Sequence, residues 1–291
     1  MIKAADFIHP EDAAAIAQLE SVPGLSYLMK KYMEIGYEVI YRSLYMSTAI
    51  RLSPTQYPEL YNRLPPICQK LGIEQPDFYL VMNPYPNACT FGDTHKFIAI
   101  NTGLLEELTM EEVDSVIAHE CGHIICRHTL YHNIALEIFN RGNLSQLLGQ
   151  LSKPIVYALY YWMRKSELSC DRCAAIVTSP EMVASTQARL AGASTKLQSK
   201  INLDEWISQA DDFDKIDANM WNKLVFLQKL LTMTHPMGSV RVREILKWGQ
   251  SDQYKNIMAS LNAETSSTRC PECGASVQDE WLFCQNCGMK L

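Results

Sequence analysis

The pattern of hydrophobic and polar positions changes character twice along this chain. Residues 1–52 carry apolar positions at helical spacing, interrupted at Pro23-Gly24. Ser53-Pro54 and Pro65-Pro66 bracket another short helical stretch. From Phe78 the residues become β-rich. Residues 78–82, 88–91 and 97–100 read as three short strands, with turn chemistry at Asn83-Pro84-Tyr85-Pro86 and Gly92-Asp93-Thr94. A small antiparallel meander is expected there.

Helical spacing then returns. Thr109-Met110-Glu111-Glu112 is a capping box, in which the Thr hydroxyl and the later Glu satisfy free N–H groups. Val113, Val116, Ile117 and Ile124 mark the buried stripe of the helix that follows. A second strong helix contains residues 157–177 and stops near Ser179-Pro180, because proline disfavours a helical predecessor. Further helices are expected over 181–231 and 240–248. The small polar residues 263–269 read as a linker. The expected architecture is α+β and helix-rich, with a small antiparallel sheet beside the capped helix. Residues 1–262 form the main domain, with an N-terminal helical part over 1–76 and a core over 77–248. Residues 270–291 form a small appendage.

Composition narrows the function. The chain has 291 residues, is 47% hydrophobic and carries a formal charge of -6. The apolar content suffices for a substantial core, and the absence of clustered Lys and Arg gives no strong nucleic-acid signal. Residues 1–12 lack the basic start and apolar run of a secretory signal. The best membrane candidate, residues 144–163, contains Lys153 and Pro154 and has its apolar residues on one helical face. It reads as an amphipathic helix packed on the core, not a transmembrane segment; peripheral membrane association is left open. Cys68, Cys89, Cys121, Cys126, Cys170 and Cys173 lie among apolar residues and read as reduced, buried thiols. A cytoplasmic location is expected.

The chemistry concentrates in His119-Glu120-Cys121-Gly122-His123, an HExxH motif inside the capped helix. A spacing of four puts both imidazoles on one helical face, able to share a zinc ion, with Glu120 on the adjoining flank as general base for a metal-activated water. An HExxHxxGxxH third ligand fails, since positions 126 and 129 are Cys and Thr. On a straight helix His128 falls about 140° from His123 and reads as structural; His132 is likewise a poor ligand. Glu167 is the better third ligand. Asp171 shares its helical face and is placed to accept the outer N–H of a ligand histidine.

These residues together resemble the HtpX and CAAX-prenyl-protease-like gluzincin family of metallopeptidases. Asn87-Ala88-Cys89-Thr90-Phe91-Gly92 is similar to that family's edge segment, Asn101-Thr102-Gly103-Leu104-Leu105 to its Ser-Gly-Leu-Leu segment, and Thr234-His235-Pro236 with Arg241 to its late His-Pro…Arg element. The resemblance spans residues 23–248. It implies a zincin-like fold in which Asn87, Ala88, Cys89 and Thr90 bind a polypeptide substrate as an added strand. It also implies that His235 helps to bind the developing oxyanion, and that Arg241 braces the site. Many relatives carry clear transmembrane helices and this chain shows none, so membrane residence does not carry over. A non-enzymatic zinc scaffold is the alternative; an intact Glu120 speaks against it.

Cys270-Pro271-Glu272-Cys273-Gly274 and Cys284-Gln285-Asn286-Cys287-Gly288 are paired CxxCG knuckles. Four thiolates so spaced make a closed structural zinc site, and a segment this short needs the metal to fold. The expected cofactors are therefore one catalytic and one structural zinc. From Glu264 onward acidic residues outnumber basic ones, which favours a protein partner for this zinc ribbon over nucleic acid.

Overall fold

The computed structural model describes residues 2–32, 38–132, 153–192, 201–217, 237–267, 270–275, 277 and 281–290. The N-terminal helices are α1 (Ala4–Phe7), α2 (Pro10–Glu20), α3 (Leu25–Tyr32) and α4 (Glu38–Thr48), and Pro23-Gly24 does separate α2 from α3. Strand β1 (Ile50–Arg51) precedes two short helices, α5 (Pro58–Tyr61) and α6 (Leu64–Leu71). Strands β2 (Asp77–Val81), β3 (Ala88–Phe91) and β4 (Phe97–Asn101) follow, then α7 (Thr102–Glu107) and α8 (Met110–Ile125). The remaining described helices are α9 (Lys153–Val177), α10 (Pro180–Leu190), α11 (Leu203–Asp217), α12 (Gly238–Gly249) and α13 (Asp252–Ser267).

The sheet is mixed, which corrects the antiparallel meander. Its order is β1-β2-β4-β3, with β2 and β4 parallel and both outer pairs antiparallel. Residues 82–87 hold Pro84 and Pro86, which cannot donate to a ladder, and carry the chain past β2 to the far edge. A five-residue loop then returns β4 between β2 and β3. The carboxylate of Glu38 pins that loop by accepting the backbone N–H groups of Asp93, Thr94 and His95.

Both faces of the central pair are covered. Phe78, Leu80, Ile98 and Ile100 join the core against α6 and α8. Tyr79, Phe97 and Ala99 face the opposite layer, built from α2, α3, α4 and α9. Such two-sided burial is what an unbroken apolar run signifies in a parallel strand. Trp162 on α9 is fully buried in that layer, with Leu159 and Met163, so the described part of the amphipathic stretch packs on the core. No helix among the described residues is long and apolar enough to cross a membrane.

Part of the stretch read as a linker is helical. Helix α13 packs Tyr254, Ile257 and Leu261 on the core and continues to Ser267, so 263–267 are helical. Ala263 and Glu264 are good helix formers, and adding a residue to an existing helix costs far less than nucleating one.

Candidate metal centre

Helix α8 carries the motif into the interior. Its capping box forms as the residues predict: Thr109 Oγ1 accepts Glu112 N–H, and the Glu112 carboxylate accepts Thr109 N–H at 2.9 Å. His119, Glu120 and His123 are all buried. Gly122 lies between them where α8 meets α9. A Cβ built there would stand 2.9 Å from Cys170 Cα, so glycine permits this approach.

The approach brings Glu167 of α9 against both imidazoles. Its Oε2 faces His119 Nε2 at 3.4 Å and its Oε1 faces His123 Nε2 at 3.5 Å. Neighbouring ligand atoms around a tetrahedral zinc with bonds of about 2.0–2.1 Å lie about 3.3 Å apart. Nitrogen and carboxylate donors at this spacing fit that ion. Two other donors stand nearby: ligand atoms of His123, His132 and Glu167 lie within 4.8 Å of one another, as do those of His119, His123 and Cys170.

His132 was not expected there. Helix α8 ends at Ile125, Arg127 takes a left-handed conformation (φ 59°), and His128 N–H donates to the His123 carbonyl at 2.8 Å. The chain folds back instead of running straight, which brings the His132 ring to 4.7 Å from that of His123. Its Nε2 meets Ser166 Oγ at 2.9 Å.

Charge is organised behind the histidines. Asp171 Oδ1 lies 3.1 Å from His119 Nδ1, as the shared face with Glu167 predicts. Arg241 of α12 donates Nε–H to Asp171 Oδ2 at 2.7 Å, and its Nη1 pairs with Glu167 Oε2 at 3.0 Å. One buried guanidinium thus holds both carboxylates. Burial opposes the charge of Asp171, but Arg241 and His119 outweigh it and keep its carboxyl below the usual range. Burial also opposes a charged His119, yet hydrogen bonds to Asp171 and Glu167 raise it to about 9. His123 is pushed well below the ordinary histidine value, first by burial and then by the nearby His132.

Edge strand β3 lies over the motif. Thr90 Oγ1–H donates to Glu120 Oε2 at 2.6 Å and lies 3.0 Å from the Glu120 carbonyl, contacts not anticipated from sequence. Cys89 points the other way, its Sγ 3.4 Å from Tyr45 Oη, and burial pushes its thiol up to about 11. A cavity of about 610 Å³ opens beside the motif, lined among others by Asn87, Ala88, His119, Glu120, Trp206 and Arg241. Met237 and Gly238 also line it. His235 lies outside the described residues.

The C-terminal knuckles converge separately. The sulfurs of Cys270, Cys273, Cys284 and Cys287 all lie within 4.8 Å of one another. Gly274 and Gly288 have φ of 69° and 76°, and each donates its N–H to the carbonyl four residues back, Cys270 and Cys284, at 2.8 Å. Only glycine takes that conformation freely, which explains the Gly after each CxxC. The Asn286 amide and the Ala275 backbone lower the Cys273 thiol toward the thiolate a metal requires. Trp281 packs into the ribbon's small core, whereas Leu282 and Phe283 are exposed.

Comparison with known proteins agrees. The model of peptidase family M48 matches residues 54–249, and that of a zinc-ribbon domain matches 266–291. The chain is 30% identical over 269 residues to a plastoglobule-localized metallopeptidase 48, chloroplastic, from Arabidopsis thaliana, covering 91% of this chain and 78% of that protein. A protease HtpX homolog from Thermodesulfovibrio yellowstonii is 36% identical over 97 residues, 33% of this chain and 34% of its own. Another, from Sulfurisphaera tokodaii, is 40% identical over 80 residues, 27% of this chain and 26% of its own. No solved structure matches. With a family match over most of its length, a buried HExxH helix and a carboxylate set against both histidines, the chain belongs to peptidase family M48 and is a zinc metallopeptidase.

Proposed function

We propose that His119, His123 and Glu167 hold the catalytic zinc and that Glu120 is the general base of an endopeptidase. The observation that carries this is Glu167 presenting one oxygen to each Nε2, at 3.4 and 3.5 Å. Glu167 is preferred because it faces both imidazoles, whereas His132 groups with His123 and Glu167 and not with His119, and burial raises the Cys170 thiol. When bound, zinc supplies Lewis-acid polarisation of a carbonyl and makes a neighbouring water more acidic.

The chain's own residues do the rest. Glu120 faces the cavity with one carboxylate oxygen held by Thr90, leaving the other to take a proton from water and pass it to the leaving amine. Asp171 and Arg241 orient His119 and Glu167. Strand β3 stands at the sheet edge beside the cavity, so its backbone can pair with an extended polypeptide at Asn87, Ala88, Cys89 and Thr90. The side chains of Cys89 and Thr90 turn to Tyr45 and Glu120, so the strand serves through its backbone. His235 is assigned to the developing oxyanion, supported by Met237, two residues later, lining the cavity.

The ribbon cysteines hold a second, structural zinc, and the exposed Leu282 and Phe283 offer a surface for a protein partner. The six cysteines outside the ribbon are unbridged thiols, which supports a reducing, cytoplasmic setting. The test is Glu120→Gln with unfolded casein as substrate. It is expected to retain two zincs per chain by elemental analysis and to lose cleavage. Wild-type turnover in this variant removes Glu120 as the base.

A further inference from the structure

The two imidazoles are braced differently. His119 meets the carboxylate of Asp171 directly, one turn from Glu167 on the same helix. His123 has His128 behind it, Nδ1 to Nδ1 at 3.3 Å. Beyond His128 lies Asp12 of α2, its Oδ2 3.0 Å from His128 Nε2. Asp12 is completely buried. It also accepts Trp162 Nε1–H at 2.9 Å and Ser169 Oγ–H at 2.5 Å. Ser169 Oγ in turn receives His9 N–H at 2.9 Å.

These contacts fix where the protons sit. Burial opposes the Asp12 charge, but His128, Ser169 and Trp162 outweigh it and keep the carboxyl below the usual range, so Asp12 only accepts. His128 Nε2, 3.0 Å from this carboxylate, therefore carries the ring's proton. With its proton on Nε2, the neutral ring of His128 leaves Nδ1 as the acceptor. An accepting Nδ1 on His128 requires His123 to donate from its own Nδ1. His123 Nε2, facing Glu167 Oε1, then carries no proton, as a metal ligand requires.

We infer that Asp12 and His128 are positioning residues, an aspartate–histidine relay from the N-terminal helix that fixes the metal-binding tautomer of His123. This rests on the assignment of His119, His123 and Glu167 as ligands. The relay also explains why a helix outside the family-matched region is tied to the centre through three buried hydrogen bonds.

The test uses the full chain with ¹⁵N-labelled histidine. Long-range ¹H–¹⁵N spectra of the metal-free protein are expected to show His123 protonated at Nδ1 and His128 at Nε2. A proton on His123 Nε2 overturns the inference, and this measurement needs no variant. Zinc alone is then titrated in competition with a chelator, with His123→Ala identifying the zinc class that belongs to this site. If His123→Ala abolishes no class, the ligand assignment itself is wrong. If the class exists, His128→Phe is expected to weaken it about 10–100-fold and to mix the His123 tautomers. Asp12→Asn, which keeps an acceptor oxygen for His128, is expected to lose less than Asp12→Ala. Equal zinc affinity in wild type and His128→Phe, whatever the change in melting temperature, reduces the relay to packing and overturns it.

Discussion

Gly122→Ala tests the whole centre with one methyl group. The new Cβ would stand 2.9 Å from Cys170 Cα, 3.1 Å from Cys173 Cβ and 3.2 Å from Cys170 Cβ. All three atoms belong to α9, and none is the far end of a flexible side chain. Ordinary contact begins near 3.4 Å, so α9 has to recede by about half an ångström in a close-packed interior. Glu167 lies one turn before Cys170 and moves with it. Its contacts with the imidazoles, now 3.4 and 3.5 Å, would open toward about 4 Å, against about 3.3 Å between neighbouring ligands on zinc. Overpacking costs about 1–3 kcal/mol, and replacing a mid-helix Gly by Ala returns about 1 kcal/mol. The net loss of stability is thus small, about 0–2 kcal/mol. The functional loss is separate from this, because a misplacement of about 1 Å at a reacting centre costs about 100-fold in rate, and half of that about 10-fold. The expected result is a folded protein with a modestly lowered melting temperature, zinc affinity down about 10–100-fold, and cleavage of a fluorogenic peptide down about 10-fold or more. Calorimetry, chelator competition and steady-state kinetics read the three. Wild-type zinc affinity and turnover in Gly122→Ala would refute the helix contact as the element that sets ligand spacing.

Three further outcomes follow from named contacts. Thr90→Val removes the hydroxyl on Glu120 without changing side-chain shape; kcat should fall about 10-fold with zinc retained, and Thr90→Ser should restore most of it. Zinc affinity should rise with pH: His119, raised to about 9 in the metal-free chain, must release a proton to bind metal, so apparent affinity grows about tenfold per unit between about pH 7 and about pH 8.5. The sign for metal-free stability is opposite. The His119 contribution is full below its unfolded value of 6.5 and is lost as pH rises through about 9; a melting temperature that climbs across that window contradicts it. If the ribbon cysteines hold their own zinc as proposed, Cys284→Ser should lose one zinc and hydrogen-exchange protection around the knuckles while peptidase turnover stays within about twofold.

Much of this was legible because the informative residues are local. A capping box, a four-residue spacing and a CxxCG turn are short-range patterns, and α8, the paired histidines and the knuckle turns follow them directly. Glu167 and Asp171 were readable because helical phase puts them on one face. The misses arise where phase is interrupted or strands choose distant neighbours. Projecting α8 as a straight helix put His132 out of reach; the left-handed Arg127 reverses the chain, and no glycine marks the place. The mixed sheet had its signal in the unbroken apolar runs of β2 and β4, but strand order is set by what covers each face, which alternation alone does not encode. The Thr90–Glu120 contact depends on β3 lying over α8, a tertiary fact.

The site is therefore held by more of the chain than its motif suggests. The motif places two imidazoles and a carboxylate on one helix, but their geometry is imposed from behind. Arg241 fixes Glu167 and Asp171 together, Gly122 sets the distance between α8 and α9, and Asp12 reaches His123 through His128. These groups are buried, and they oppose acidic partners to basic or donating ones, so removing one strands another in a medium of low polarity. In the metal-free chain the raised His119 offsets the Glu167 and Asp171 carboxylates, and the Arg241 ion pairs keep that arrangement in place before a cation arrives.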